Sequence, residues 1–239
     1  MPTPQLLDHL LVALIILVLP VHGAWEYRRL ARRVRAGVRD ARTREYRSTM
    51  VMEWLLAAVV LGLWLASSRP PGDLGLALPG GWRLAFGAAA TVVGLAVLEV
   101  QRRAVHGTTG ADLEAMRDHM APLADFLPRT AKEERVFRQL AITAGVTEEL
   151  VYRGYLIWYF AAYLGVWPAA LVAAVVFGGL HLYQGTVGMV KTGATGLVMA
   201  VLYVVTGSLL WPTILHAAID LQGGALGRRV LAPEPAPVE

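Results

Sequence analysis

The chain has 239 residues, 56% of them hydrophobic, a mean hydropathy of +0.49 and a formal charge of +4. That balance is too apolar for an ordinary soluble domain and points to an integral membrane protein. The absence of cysteine excludes disulfide frameworks and thiolate chemistry. The basic charge is nearly all arginine, with Lys132 and Lys191 the only lysines, and it lies beside apolar spans. This suits an anionic bilayer face and not nucleic acid. The bias toward Arg, Ala, Gly, Val and Leu fits a GC-rich bacterial genome.

Residues 6–24 form the first predicted span. It carries Asp8 and has no basic residue ahead of it, so it reads as a retained helix and not a signal peptide. Residues 28–47 hold nine arginines against Asp40 and Glu45. The positive-inside rule makes this a cytoplasmic loop, part of it an amphipathic helix on the inner leaflet, and puts the N-terminus outside. Spans at 50–67 and 82–100 follow, joined by an outer connection containing Pro70, Pro71, Gly72, Pro79, Gly80 and Gly81. Gln101, Arg102 and Arg103 then return the chain inside. An amphipathic surface helix is expected at 111–126, broken by Pro128. Arg129, Lys132, Arg135 and Arg138 keep this stretch cytoplasmic.

Four more spans are expected at 140–164, 167–183, 187–205 and 209–226. Gly165 with Pro168, Gln184 with Gly185, and Gly207 with Ser208 mark the turns between them. Lys191 falls near an inner end, Arg228 and Arg229 cap the last span inside, and the Pro-rich tail is expected to be disordered. The predicted fold is an all-α polytopic membrane bundle of about seven transmembrane helices plus amphipathic surface segments. The N-terminus is outside, the C-terminus cytoplasmic, and the membrane a bacterial inner membrane. Residues 1–135 would supply N-terminal spans and basic loops, 136–230 the catalytic core, and 231–239 the tail.

Three groups of ionisable residues interrupt the apolar helices. Glu148, Glu149 and Arg153 lie on the fourth span, His181 follows Phe177 by one turn on the fifth, and His216 precedes Asp220 by one turn on the seventh. The span assignment places all three in the cytoplasmic half of the bilayer. Intramembrane charges are costly and mark functional sites by default. On a regular helix Glu149 and Arg153 lie about 40° apart, as an ion pair requires, while Glu148 points away from Arg153. Glu149 and Arg153 therefore read as support, and Glu148 as the freer carboxylate, fit to activate water. Asp220 is placed to orient the His216 ring, and Gly178 and Gly179 to let a neighbouring backbone approach His181. Tyr152, Tyr155, Tyr183 and Trp158 read as core or interfacial belt, and His22, His106 and His119 take no role.

At these positions the chain resembles the CPBP family of intramembrane endopeptidases, which includes the Ras-converting type of CaaX prenyl protease and the bacterial Abi proteins. The family pattern is Glu-Glu-x-x-x-Arg, Phe-x-x-x-His and His-x-x-x-Asn/Asp on separate helices. Here it falls on Glu148, Glu149 and Arg153, on Phe177 and His181, and on His216 and Asp220. Asp220 stands where the CaaX branch has asparagine. The resemblance implies an endopeptidase acting on a membrane-associated peptide or protein. Glu148 and His181 would activate water, while His216 and Asp220 stabilise the oxyanion. Glu149, Arg153 and Phe177 would support them.

Two other classes fit the same polar cluster, a non-catalytic membrane partner and a proton-coupled transporter; the latter usually shows internal repeats, and none is evident here. Zinc is not expected. If it were bound, His181, His216 and Asp220 would be its ligands. The sequence shows no spare carboxylate beside His181 to fix its tautomer, as a metal-ligating histidine needs. No His-Glu-x-x-His or Gly-x-Ser-x-Gly motif occurs.

Overall fold

A computed structural model describes residues 3–231; the tail expected to be disordered lies outside them, save Leu231, which closes the last helix. Among the described residues the chain is all helical. Helix α1 spans Leu6–Arg35, with a π turn at Leu14–Val18. Helix α2 spans Ala41–Ala66, α3 Gly81–His106 and α4 Ala111–Met120. Helix α5 runs through residues 131–164, and its middle, Glu149–Leu156, is a π-helix. Helices α6 (Val166–Leu180), α7 (Gly185–Thr206) and α8 (Leu210–Leu231) complete the bundle. Four helical stretches are long and apolar enough to cross a membrane, namely α1, α2, α3 and Leu182–Thr206. Helix α6 is apolar but shorter. With its apolar helices and large outward-facing side chains such as Trp82, Val92, Val93, Val100 and Val175, the chain is a polytopic integral membrane protein.

The arginine-rich stretch is not a loop. Helix α1 continues to Arg35 and α2 begins at Ala41, so only five residues, 36–40, are non-helical. Gly37 and Asp40 take positive φ to make this turn. Leu30 is fully buried, which draws the helix past the apolar span. The cations are met locally. Arg35 pairs with Asp125 at 2.9 Å, Lys132 with Asp40 at 2.8 Å, and Arg42 with Glu133 at 3.4 Å. Arg228 and Arg138 both pair with Glu134, the latter at 2.6 Å, and Arg229 reaches His106. These contacts gather the basic helix ends at one end of the bundle.

Other boundaries also moved. Helix α4 stops at Met120 because Pro122 sits in the 3-10 turn Ala121–Leu123, upstream of the breaker expected at Pro128. Pro168 lies inside the first turn of α6, where its missing N–H costs nothing. Gly165, at φ +80, makes the turn without it. Helix α5 begins nine residues earlier than the span drawn from hydropathy. Thr130 caps it, accepting from Glu133 N while Glu133 reciprocates.

Close helix approach then positions the polar residues. A Cβ on Gly145 would stand 3.0 Å from the Ala217 Cβ, so this glycine lets α8 lie directly on α5. One on Gly178 would stand 3.0 Å from Gly193 Cα, which joins α6 to α7. The backbone admitted beside Gly178 is thus that of α7, whereas Gly179 faces open space.

Candidate active site

Glu149 and Arg153 are sealed in the core, 0% and 2% exposed, and pair through Arg153 Nη1 and Glu149 Oε1 at 2.7 Å. Arg153 Nη2 also donates to the Gly196 carbonyl at 3.2 Å, and its guanidinium lies 4.3 Å from the centre of the Phe177 ring. Gly196 is needed here, since a Cβ would meet Phe177 at 2.8 Å and Arg153 at 3.1 Å. Arg153 thereby ties α5, α6 and α7 together.

The pair does more than support. His216 Nδ1 lies 2.7 Å from the same Glu149 Oε1. A carboxylate there accepts, so Nδ1 carries the proton and Nε2 turns outward. Nε2 faces Glu148 Oε2 at 3.7 Å and Asp220 Oδ2 at 3.6 Å. The orienting role expected of Asp220 therefore falls to Glu149. Glu149 opens a π segment, where regular α-helical spacing no longer holds, and its bond to His216 crosses from α5 to α8, beyond the reach of periodicity within one helix.

His181 caps the end of α6, with Nδ1 2.8 Å from the Phe177 carbonyl oxygen. A carbonyl only accepts, so Nδ1 donates and Nε2 keeps its lone pair. Phe177 lies between the two imidazoles, 4.8 Å from His181 and 6.0 Å from His216 between ring centres. A backbone carbonyl thus fixes the His181 tautomer, and the missing carboxylate carries no argument about metal.

Glu148, His181, His216 and Asp220 all line one cavity of about 560 Å³. Tyr152, Tyr183, Arg153 and Phe177 line it as well, so two of the tyrosines read as core face the site. Tyr155 and Trp158 do not. They pack in the core near Asp8 and Arg69, with Tyr155 Oη donating to Asp8 at 2.9 Å. His22 also lines the cavity. Glu149 lies behind the wall, whereas the Glu148 side chain keeps 19% of its surface accessible. Among the described residues no three His, Asp or Glu side chains stand grouped to hold a metal ion, His181, His216 and Asp220 included.

Sequence reasoning missed Glu53. It projects from α2 into the cavity, with Oε2 3.4 Å from the Thr147 hydroxyl. A lone carboxylate inside an apolar span was the available signal, but it belongs to no motif and lies far from the others in sequence.

Residues 135–222 match a protein-family model described as type II CAAX prenyl endopeptidase Rce1-like. No curated protein and no solved structure matches the chain.

Proposed function

We propose, from the match of residues 135–222 to the type II CAAX prenyl endopeptidase Rce1-like model, that the chain is an intramembrane protease of the CPBP type and hydrolyses peptide bonds with a water activated by Glu148. The observation that carries this is the His216 ring, fixed by Glu149 at one nitrogen and turned toward Glu148 and Asp220 with the other. Water entering the cavity gives a proton to Glu148 as its oxygen adds to the substrate carbonyl. His216, protonated on both nitrogens among the carboxylates of Glu148, Glu149 and Asp220, turns its Nε2–H toward the same space, and donating it to the developing oxyanion would lower the barrier. His181 presents its free Nε2 to the cavity and helps hold the water. Collapse of the tetrahedral adduct passes the proton from Glu148 to the leaving nitrogen, so the carboxylate is regenerated. No step uses a metal.

The substrate is a membrane-associated peptide or small membrane protein. The matched family is named for prenylated CAAX ends; a bacterial member would cut another target. The basic helix ends gathered at one end of the bundle face the cytoplasm of a bacterial inner membrane, with the N-terminus outside and the C-terminus inside. Tags at the two ends should be accessible from opposite sides.

The test is purified full-length protein in proteoliposomes with a pool of membrane peptides, cleavage being read by mass spectrometry. Glu148→Gln should fold normally and lower kcat by about 10²–10⁴-fold, the range for a lost general base. Unchanged cleavage by that variant would overturn the assignment.

A further inference from the structure

The cavity wall that lies outside the matched segment is built mainly from α1 and α2. Glu45, Ser48, Thr49, Met52 and Glu53 share one face of α2, recurring at helical spacing. Glu26 faces the same space from α1. Glu45 is 8% exposed, yet it has neither a hydrogen bond nor an ion pair among the described residues. Arg29 answers Glu26 at 3.2 Å from a half-exposed position, and neither Arg29 nor Arg33 lines the cavity. Glu53 is scarcely better satisfied. The single Thr147 hydroxyl proton goes to the Thr143 carbonyl at 2.8 Å, which leaves Glu53 a contact of only 3.4 Å. Of the lining cations, Arg153 is consumed by Glu149, and Lys191 is bonded to His119 at 2.6 Å. A protein whose surface is basic thus holds a carboxylate-lined interior, with a buried acid left open to a ligand.

We propose that the Glu45–Thr49–Glu53 face of α2 is a substrate-binding wall, and that Glu45 takes a basic side chain of the peptide being cut. This rests on the protease reading. Glu45 and Glu53 are eight residues apart, about 12 Å along the helix axis. Glu53 stands beside Thr147, next to Glu148. An extended peptide covers about 3.3 Å per residue. The preferred arginine or lysine therefore lies about three to four residues from the scissile bond, on the side toward the arginine-rich end of the bundle. Glu26, across the cavity, adds attraction to the same cation.

Binding tests this without turnover. The full chain carrying Glu148→Gln is placed in nanodiscs of zwitterionic lipid. Fluorescent apolar peptides identical except for one arginine or its neutral isostere citrulline are titrated by anisotropy, with empty discs as control. The arginine peptide should bind about tenfold tighter, the lower end for a close charge pair. Adding Glu45→Gln should remove that advantage. Equal affinity of the two peptides would overturn the proposal, as would an advantage that survives Glu45→Gln. If that variant does not fold, the comparison of the two peptides on the chain with Glu45 intact still decides. A binding preference without cleavage by the unsubstituted chain would break the protease reading and leave the wall standing. Cleavage of both peptides with equal affinity would do the reverse.

Discussion

Among the described residues two arginine–carboxylate pairs of nearly equal composition have both partners buried, and only one of the pairs faces a cavity. Near the N-terminal end of α1, Asp8 and Arg69 are 2% and 3% exposed. Both oxygens of Asp8 are saturated. Oδ1 accepts from Arg69 at 2.8 Å and from Tyr155 at 2.9 Å, while Oδ2 accepts from Arg69 at 2.5 Å and from the Gln5 amide at 2.7 Å. Arg69 also stacks over Trp158 at 4.3 Å, and its Nε is the one polar atom of this pair buried without a partner, so the saturation lies with the carboxylate. In the Glu149–Arg153 pair, Glu149 Oε1 takes both Arg153 and His216, and Oε2 is buried without a partner. Burying an ion pair costs desolvation that attraction alone barely repays, so saturation decides what each pair is for. The first is a closed clasp joining α1 to α5. The second spends its bonding on aiming an imidazole at a cavity.

The largest effects should follow from breaking either pair by halves. Arg69→Ala and Arg153→Ala each leave a carboxylate buried and unpaired, at a cost of about 3–5 kcal/mol. Denaturant or thermal unfolding in detergent should show comparable losses. A much smaller loss for Arg69→Ala would mean that its clasp does not hold the bundle.

The next effect separates the two regions by function. Replacing a whole buried pair with apolar side chains of similar size often restores stability. Asp8→Leu with Arg69→Met should therefore recover folding and keep cleavage within about twofold. Glu149→Leu with Arg153→Met should recover folding but lower kcat by about a hundredfold, because His216 loses the acceptor that fixes its tautomer. Equal activity in the two doubles would mean that the Glu149–Arg153 pair, like Asp8–Arg69, only holds the bundle together. Tyr155→Phe should matter less, at about 1.5 kcal/mol of stability, the low end for one hydrogen bond to a charged group because Asp8 keeps three others, with no change in kcat.

How much of this was legible follows from the same contrast. Glu148, Glu149 and Arg153 stood out because they fall within six residues, and helix periodicity, which reports neighbours three and four apart, pairs Glu149 with Arg153. The placement of His181 and His216 at the same cavity followed from counting spans. The Asp8–Arg69 clasp was hidden because its partners are 61 residues apart, and Arg69 read as part of an outer loop. Glu53 and Glu45 were hidden for the same reason, since no pattern within α2 reveals which wall α2 forms. The link from Glu149 to His216 needed the approach of α8 at Gly145, which depends on packing. The arginine run does lie with the other basic helix ends at one end of the bundle. The extent of its helix was underestimated, since only part was expected to be helical and hydropathy cannot tell a solvated helix end from a loop.

The smallest effect expected is that of a chelator, and it sharpens the comparison by asking what the second pair's imidazole is aimed at. A catalytic zinc takes three protein ligands at about 2.0–2.2 Å plus an open position. His216 and His181 each have one nitrogen committed, to Glu149 and to the Phe177 carbonyl. That leaves Nε2 of each ring, and second-shell bonds of this kind serve a metal ligand and a direct hydrogen-bond donor equally well. The proposal that no metal takes part rests on the donors, since no three of them are grouped among the described residues. His216 Nε2 instead faces two carboxylates at 3.6 Å and 3.7 Å, a spacing a water molecule can bridge. Cleavage by protein treated with a strong chelator and then freed of it should match the untreated rate. Elemental analysis of the purified chain should find no stoichiometric zinc. One zinc per chain, with activity lost on chelation and restored by zinc alone, would show that the site closes around a metal and would assign His216 Nε2 to it in place of the oxyanion.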